Sequence, residues 1–203
     1  MLSKRIFDLA AASLGLAILA PLLLVMALLI KLESRGPVLF RQERVGLNGR
    51  TFRIHKFRTM YDGAQSRGTE LTIGSDPRIT RVGRVLRKYK LDELPQLIDV
   101  VRGDMSLVGP RPEVPRYVRH YSERDKAIVL SVPPGITDFA SIRYRDESAL
   151  LGRASDADAV YVTQILPRKL RYYRFYVRRR SLMLDLRLIL MTICAVAGAR
   201  RYR

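Results

Sequence analysis

The sequence predicts a mainly α-helical protein with one small β-hairpin, held at a membrane by an N-terminal helix. Three observations predict this fold class: an uncharged apolar run near the N-terminus, one hairpin signal, and helical periodicity through most of the remaining chain. With 203 residues the chain can bury a core. Its 37 basic and 19 acidic residues need an anionic partner, and nucleic acid, anionic lipid and phosphorylated small molecules all qualify. One cysteine and two histidines argue against a disulfide or a zinc site.

The apolar run from Leu9 to Ile30 predicts an unusual membrane element. It carries no charge and is long enough for a transmembrane helix, which needs about 20 residues. Basic residues flank it on both sides, although such residues prefer the cytoplasmic side of a membrane. Pro21, near its middle, removes a backbone hydrogen bond and kinks a helix. We therefore expect a re-entrant helix that breaks at Pro21 and returns to the same face, with a single span as the alternative.

The remaining chain carries one strong hairpin signal and several helical patterns. The segments "VLFRQERVG" and "TFRIHKFRTM" flank Asn48-Gly49, a dipeptide favoured in hairpin turns. Residues 61–77 are polar and glycine-containing, which predicts a loop, and residues 78–89 and 113–130 have helical patterns. The C-terminal "SLMLDLRLILMTICAVAGARRYR" is apolar but interrupted by Asp185 and Arg187. It predicts a docked or in-plane amphipathic helix.

Two adjacent carboxylates stand in the segment "KYKLDELPQLIDVVRGDMSLVGPRP". Asp92 is a good helix N-cap, and Glu93 would complement the dipole of a helix ending near Arg102-Gly103. The same residues could instead form an active site, because arginines precede them and Arg111 follows between two prolines. A guanidinium held in a rigid turn suits phosphate binding. Spacing alone leaves both interpretations open.

Several motifs in this order resemble the bacterial sugar transferases, the small monotopic phosphoglycosyl transferases. They are "KRIFD", "GPVLFRQERVG", "KFRTM", "LDELPQL", "GDMSLVGPRP", "PPGITD" and "LDLRLI", and the resemblance covers nearly the whole chain. It implies a monotopic protein of the bacterial inner (cytoplasmic) membrane with a re-entrant helix and interfacial amphipathic helices. Residues 1–35 would form the membrane helix and its basic flanks. Residues 36–203 would form a catalytic domain on the cytoplasmic face, in contact with anionic lipids.

The resemblance also implies a reaction. A sugar-1-phosphate passes from a nucleotide sugar, with a uridine diphosphate sugar as the family expectation, to polyprenyl (undecaprenyl) phosphate, and UMP is released. Asp92 would be the nucleophile that forms an aspartyl-phosphosugar, Glu93 its partner, and Mg²⁺ would be held at both carboxylates. The basic residues expected to bind substrate phosphates are Lys56, Arg58, Arg87 and Arg111.

The chain departs from the family pattern at three places. Ala20 replaces the usual serine before Pro21, so a side-chain bond to the backbone is lost. Pro133 replaces an arginine, for which Arg143 or Arg145 would substitute at the phosphates. Asp138-Phe139 replaces a Gly-aromatic pair, so the sugar preference does not transfer. The oligomeric state, a homo-oligomer included, is left open.

Two other classes of function compete with the enzyme. A catalytically silent membrane scaffold or partner of a glycan-assembly complex would keep this fold without turnover. A membrane-tethered nucleic-acid binder would use the charge and the run "RKLRYYRFYVRRR", but it would leave Asp92 and Glu93 without a role. We therefore expect no nucleic-acid partner.

Overall fold

The computed structural model describes residues 2–64, 76–144, 147–152, 154–196 and 198, except for the side chains of residues 148 and 149. Most of them are helical, as predicted. The helices are α1 Leu2–Glu33, α2 Arg81–Lys88, α3 Gln96–Arg102, α4 Pro115–Val118, α5 Glu123–Val129, α6 Phe139–Arg143, α7 Glu147–Leu151, α8 Ala157–Val160, α9 Leu166–Arg179 and α10 Leu182–Val196. The strands are β1 Leu39–Val45, β2 Thr51–Phe57, β3 Ser106–Val108 and β4 Gly135–Thr137.

The predicted hairpin is confirmed. Strands β1 and β2 pair antiparallel from Leu39 opposite Phe57 to Val45 opposite Thr51. Residues 46–50 form the connection, which is wider than a two-residue turn. Asn48 and Gly49 both have positive φ, 55° and 78°, a conformation that these two residue types tolerate better than most.

A second, parallel pair of three-residue strands joins two segments that the sequence presented as turns. β3 and β4 pair through Ser106 with Gly135 and Val108 with Thr137. The backbones approach closely, because a Cβ added at Gly135 would lie 2.0 Å from the backbone nitrogen of Gly109. The N–H of Gly135, the first residue of β4, donates to the carbonyl of Pro110, which lies just after β3, at 2.9 Å. The "PPGITD" segment therefore supports the turn that carries Arg111.

Helix α1 runs without interruption through Pro21. It is long and apolar enough to cross a membrane, and most of its apolar surface is not buried in the protein. Its inward residues Ala12, Met26 and Ile30 pack against two separate core clusters that contain Ile54 and Phe57 of β2. The expected break of secondary structure at Pro21 is therefore absent, and the return to one membrane face stays a prediction.

The N-terminal end of α1 is fixed to the protein body by charged residues. Asp8 is buried and accepts hydrogen bonds from Ser106 Oγ (2.8 Å) and the N–H of Leu107 (3.3 Å). Arg5 donates to the carbonyls of the last turn of α3. Lys4 Nζ donates to Asp185 of α10 at 2.7 Å. The "KRIFD" motif is thus an attachment of α1 to the body.

The C-terminal end of α1 is fixed to the same body. The Glu33 carboxylate accepts from the N–H groups of Arg81 (2.7 Å) and Val82 (2.9 Å), the free donors at the start of α2. The Arg58 guanidinium donates to the carbonyls of Ser34 (2.8 Å) and Arg35 (2.6 Å). Both ends of α1 therefore contact one and the same body.

Helix α10 is docked along this body. Asp185, which interrupts the apolar run in the sequence, is fully buried and accepts from Tyr176 Oη at 2.8 Å as well as from Lys4. Leu188 packs beside it against Val108 and Tyr176. On the other side of the helix, large apolar residues remain exposed, namely Met183, Leu190 and Ile193.

The predicted helix over 113–130 is divided in two. α4 begins at Pro115, and α5 begins after Ser122, whose hydroxyl accepts the N–H of Asp125 at 3.0 Å as an N-cap. Both helices pack in the largest core cluster, together with Tyr161 and Tyr173. This cluster lies behind the turn that carries Arg111.

Candidate active site

Glu93 stands at the centre of a carboxylate–cation cluster. Lys56 Nζ donates to Glu93 Oε1 at 2.8 Å. Arg111 donates with both terminal nitrogens, to Oε2 at 3.1 Å and to Oε1. The exposed fraction of the side chain is 14% for Lys56, 12% for Glu93 and 25% for Arg111. The Lys56 and Arg111 cations thus both bind the Glu93 carboxylate, in a site with little exposure to solvent.

Three separate elements bring these residues together. Lys56 lies on β2 next to His55, which holds β2 against α3. Asp99 of α3 accepts the backbone N–H of His55 (2.9 Å), and its other oxygen lies 2.5 Å from His55 Nδ1. Glu93 lies in a single 3₁₀ turn, Leu91–Glu93, which follows Lys90 in a left-handed conformation (φ 56°). Arg111 comes from the turn after β3.

Asp92 is not the N-cap of α3, which corrects the capping interpretation. It lies within the 3₁₀ turn, and α3 begins at Gln96, after Pro95 and with no side-chain cap. Its Oδ1 is buried and has no hydrogen-bond partner among the described residues. Burial raises the pKa of Asp92, and the charge of Glu93 adds to this, while Lys56 opposes it. Asp92 therefore has a free, poorly solvated carboxylate oxygen.

The two carboxylates differ in kind. Burial alone would raise the pKa of Glu93, but Arg111 and Lys56 outweigh it and hold that pKa well below its usual range. Glu93 in turn holds the pKa of Arg111 well above its ordinary value. Burial lowers the pKa of Lys56 to about 8 although Glu93 opposes the change. Glu93 is thus committed to ion pairs, and Asp92 is the carboxylate left free to react.

Arg87 of α2 lies on the Asp92 side of the cluster. Its Nε donates to Thr59 Oγ1 at 2.7 Å, which holds the guanidinium in place. Burial lowers the pKa of Arg87, and the nearby charge of Asp92 opposes this. The structure thus brings together Lys56, Arg87 and Arg111 around Asp92 and Glu93, and the three cations outnumber the two carboxylates.

The other predicted basic residues lie in different settings. Arg58 is buried and its guanidinium binds the end of α1, so a phosphate contact for Arg58 stays a prediction. Arg143 is the last residue of α6 and is exposed. Arg145 lies outside the described residues.

Sequence reasoning missed two polar residues near the site. Gln96, one turn after Asp92, is 1% exposed, and its amide nitrogen has no partner in the described part of the chain. Thr59 holds Arg87 as described above. The "LDELPQL" and "KFRTM" motifs contain both residues, but spacing alone gave them no role.

These carboxylates could hold a magnesium ion only together with ligands from outside the described residues. The described residues contain no group of three or more His, Cys, Asp or Glu that could hold a metal by themselves. Mg²⁺, however, is commonly bound by one or two carboxylates together with phosphates and water. The unpartnered buried Oδ1 of Asp92 is a suitable ligand atom. Both oxygens of Glu93 already accept hydrogen bonds, so Asp92 is the stronger candidate ligand.

These features define a class: a mainly helical protein with one long apolar helix and a dehydrated carboxylate–guanidinium site suited to phosphate chemistry. The sequence profile described as bacterial sugar transferase matches residues 1–199. The chain belongs to the bacterial sugar transferase family.

Relatives from several bacteria agree with this membership. The chain is 40% identical over 202 residues to a UDP-N-acetylgalactosamine-undecaprenyl-phosphate N-acetylgalactosaminephosphotransferase of Aeromonas hydrophila, covering 97% of this chain and 45% of the relative. It is 43% identical to an undecaprenyl-phosphate glucose phosphotransferase of Komagataeibacter xylinus, covering 95% and 35%. It is 42% identical to a UDP-glucose:undecaprenyl-phosphate glucose-1-phosphate transferase of Caulobacter vibrioides, covering 95% and 68%. The chain thus spans less than half the length of the first two relatives.

Proposed function

We propose that the protein transfers a sugar-1-phosphate from a uridine diphosphate sugar to polyprenyl phosphate, with Asp92 as the nucleophile. The observation that carries the proposal is the unequal pair. Lys56 and Arg111 occupy both oxygens of Glu93, whereas Asp92 keeps a buried oxygen that has no partner in the described part of the chain. The names of the relatives support the same substrate classes, a UDP-sugar donor and an undecaprenyl phosphate acceptor.

The reaction proceeds in two displacements at one phosphorus atom. An oxygen of Asp92 forms a bond to the β-phosphorus of the donor, the bond to the bridging oxygen breaks, and UMP leaves with the electron pair. An oxygen of polyprenyl phosphate then bonds to the same phosphorus as the Asp92–phosphorus bond breaks. The products are the free carboxylate and a polyprenyl diphosphate sugar.

Charge neutralisation is the main task of the surrounding residues. A carboxylate that approaches a diphosphate is repelled unless cations offset the negative charge. Arg111 and Lys56, held by Glu93, and Arg87, held by Thr59, supply fixed positive charge at low conformational cost. Mg²⁺, held by Asp92 as the stronger candidate ligand of the predicted Asp92–Glu93 pair, would further neutralise the phosphates.

The test is a turnover assay with purified protein, Mg²⁺, a panel of UDP-sugars and polyprenyl phosphate. We expect UMP release that depends on the lipid acceptor for at least one sugar. The absence of turnover with every donor would favour the scaffold alternative. Tight, salt-sensitive binding of an oligonucleotide without turnover would favour the nucleic-acid binder.

The attachment of both ends of α1 to one body supports the re-entrant topology. A helix that crossed the bilayer would place Lys4 and Glu33 on opposite faces, yet both contact elements of the same body. We therefore propose that α1 enters and leaves on the cytoplasmic face of the inner membrane, which is where the nucleotide sugar is available.

Cysteine labelling tests this topology. In a Cys194→Ser background, Leu2→Cys and Leu32→Cys place single thiols at exposed positions near the two ends of α1. We expect a membrane-impermeant maleimide to leave both unlabelled in intact cells and to label both once the membrane is opened. Labelling of one end in intact cells would mean that α1 spans the membrane.

The outer face of α9 fits an anionic lipid surface. Arg171, Arg178 and Arg179 surround the half-exposed Phe175, and the exposed apolar face of α10 follows directly. Basic residues near an anionic surface contribute about 1 kcal/mol each, and an aromatic ring suits the interface. We propose that α9 and α10 lie against the cytoplasmic leaflet.

A fluorophore at position 175 tests the lipid contact. With Phe175→Cys in the Cys194→Ser background, we expect a blue shift in phosphatidylglycerol-containing nanodiscs relative to phosphatidylcholine nanodiscs. Arg178→Gln with Arg179→Gln should remove most of this shift. Arg50→Gln with Arg53→Gln, an exposed pair on the hairpin, should not. Equal loss in both pairs would indicate net charge and not this face.

A further inference from the structure

The turn from Pro110 to Glu113 is held on both sides by backbone hydrogen bonds. The carbonyl of Pro110 accepts from Gly135 (2.9 Å) and that of Glu113 from Val45 (2.9 Å). Arg44 donates to the carbonyl of Pro112 at 3.0 Å. Within this turn, the Arg111 side chain reaches forward to Glu93, and the Glu113 side chain reaches the opposite way.

Glu113 enters a buried polar network with the C-terminal half of the chain. Its carboxylate accepts from Tyr161 Oη at 2.6 Å and lies 3.7 Å from Lys169 Nζ. Lys169 also donates to Tyr161 Oη (3.2 Å) and forms an ion pair with Glu147 (2.8 Å). Glu113, Tyr161 and Lys169 are nearly inaccessible to water, so none of these groups can exchange its partner for solvent at low cost.

The proposed mechanism does not use this network, although it is attached two residues from Arg111. Burial of an ion pair is weak evidence of stabilisation, because desolvation can cancel the attraction. What the network does hold is the Glu113 end of the turn that carries Arg111. Because the turn that carries Arg111 is already rigid, less conformational freedom is lost when its guanidinium is held on a phosphate.

We propose that Glu113, through Tyr161 and Lys169, is a positioning residue that fixes the Arg111 turn for substrate phosphate binding. The inference rests on the proposed function, since it assigns Arg111 to the donor phosphates. Among the described residues, the contacts of the Glu113 carboxylate are with Tyr161 and Lys169, not with Asp92. Substitution of Glu113 therefore acts on catalysis only as far as Arg111 acts.

A double-mutant cycle separates positioning from general stability. Arg111→Lys removes the guanidinium fork, and we expect it to lower kcat/KM for the UDP-sugar about 100-fold. Glu113→Gln keeps the shape but removes the charge, and we expect a loss of about tenfold or more through misplacement of Arg111. In the double variant, the loss should equal that of Arg111→Lys alone.

Each outcome of the cycle has one meaning. If Glu113→Gln lowers kcat/KM by the same factor in the wild-type and in the Arg111→Lys background, the network does not act through Arg111. The inference is then wrong. If Glu113→Gln leaves kcat/KM unchanged while Arg111→Lys lowers it, the inference also fails, but the proposed function stands. If the wild type shows no turnover, the proposed function fails first.

Matched tyrosine variants keep the test decisive if Glu113→Gln does not fold. Tyr161→Phe removes the hydroxyl that bonds Glu113, whereas Tyr117→Phe removes one that bonds Asp158 at 2.6 Å. The two rings are in contact, with centroids 4.6 Å apart and planes tilted by 50°, so both changes occur in the same core. Each change leaves a polar partner without its hydroxyl, so we expect both variants to lower the melting temperature. Only Tyr161→Phe should also lower kcat/KM, and Tyr117→Phe should leave kcat/KM unchanged. An equal change in kcat/KM in the two variants would contradict a positioning role.

Discussion

Asp92→Asn is expected to lower turnover at least about 1,000-fold, the scale seen when a nucleophile is removed. The amide keeps the shape of the side chain but cannot form the bond to phosphorus. The measurement is steady-state UMP release with UDP-sugar, Mg²⁺ and polyprenyl phosphate.

Two controls make the Asp92→Asn result interpretable. Because Asp92 Oδ1 has no partner among the described residues, the substitution should cost little stability, so the melting temperature should stay close to that of the wild type. Asp104→Asn changes an exposed carboxylate in the loop after α3 and should keep full activity. Near-normal turnover of folded Asp92→Asn would remove Asp92 from the nucleophile role.

Glu93→Gln is expected to damage both activity and stability. It removes the charge that pairs with Lys56 and Arg111, and breaking a buried ion pair from one side costs about 3–5 kcal/mol. The pKa of Lys56, which is about 8 in the wild type, should fall further. Glu93 is the main charge that opposes the lowering of this pKa by burial. We expect turnover to fall about 100-fold or more, since two phosphate-neutralising cations lose their anchor. Chemical denaturation and kcat/KM are the measurements.

A second substitution separates these two effects of Glu93. Lys56→Met in the Glu93→Gln background removes one of the stranded cations, so it should recover part of the lost stability and none of the activity. A Glu93→Gln protein with wild-type stability would show that Glu93 does not form ion pairs with Lys56 and Arg111. Recovery of activity by Lys56→Met would show that Lys56 does not serve the phosphates.

The sequence predicted those parts of the fold that have a local signal. Asn48-Gly49 predicted the hairpin, and apolar periodicity predicted α2. The interrupted apolar run at the C-terminus predicted α10. Strands β3 and β4 were missed because three residues are too few for a pattern to be detected, and because their pairing depends on the close approach of Gly109 and Gly135.

The site could be predicted by residue type but not by partner. Glu93 binds Lys56 and Arg111, which are 37 and 18 positions away, and no local pattern encodes those distances. The N-cap assignment of Asp92 was wrong because Lys90 adopts a left-handed conformation and Pro95 stands before α3, so the helix begins later than its capping pattern indicates. Asp185 is similar: in sequence it interrupts an apolar helix, whereas in the fold it binds Lys4, 181 positions away.

Of the two carboxylates, we propose that Asp92 alone carries the phosphosugar. The most direct test is intact-mass measurement of detergent-solubilised protein after incubation with Mg²⁺ and a panel of UDP-sugars, without lipid acceptor. We expect a mass increase of one phosphosugar on the wild type, with UMP released, and no increase on Asp92→Asn. The adduct should be lost when polyprenyl phosphate is added. An adduct of the same mass on Asp92→Asn would contradict the proposal.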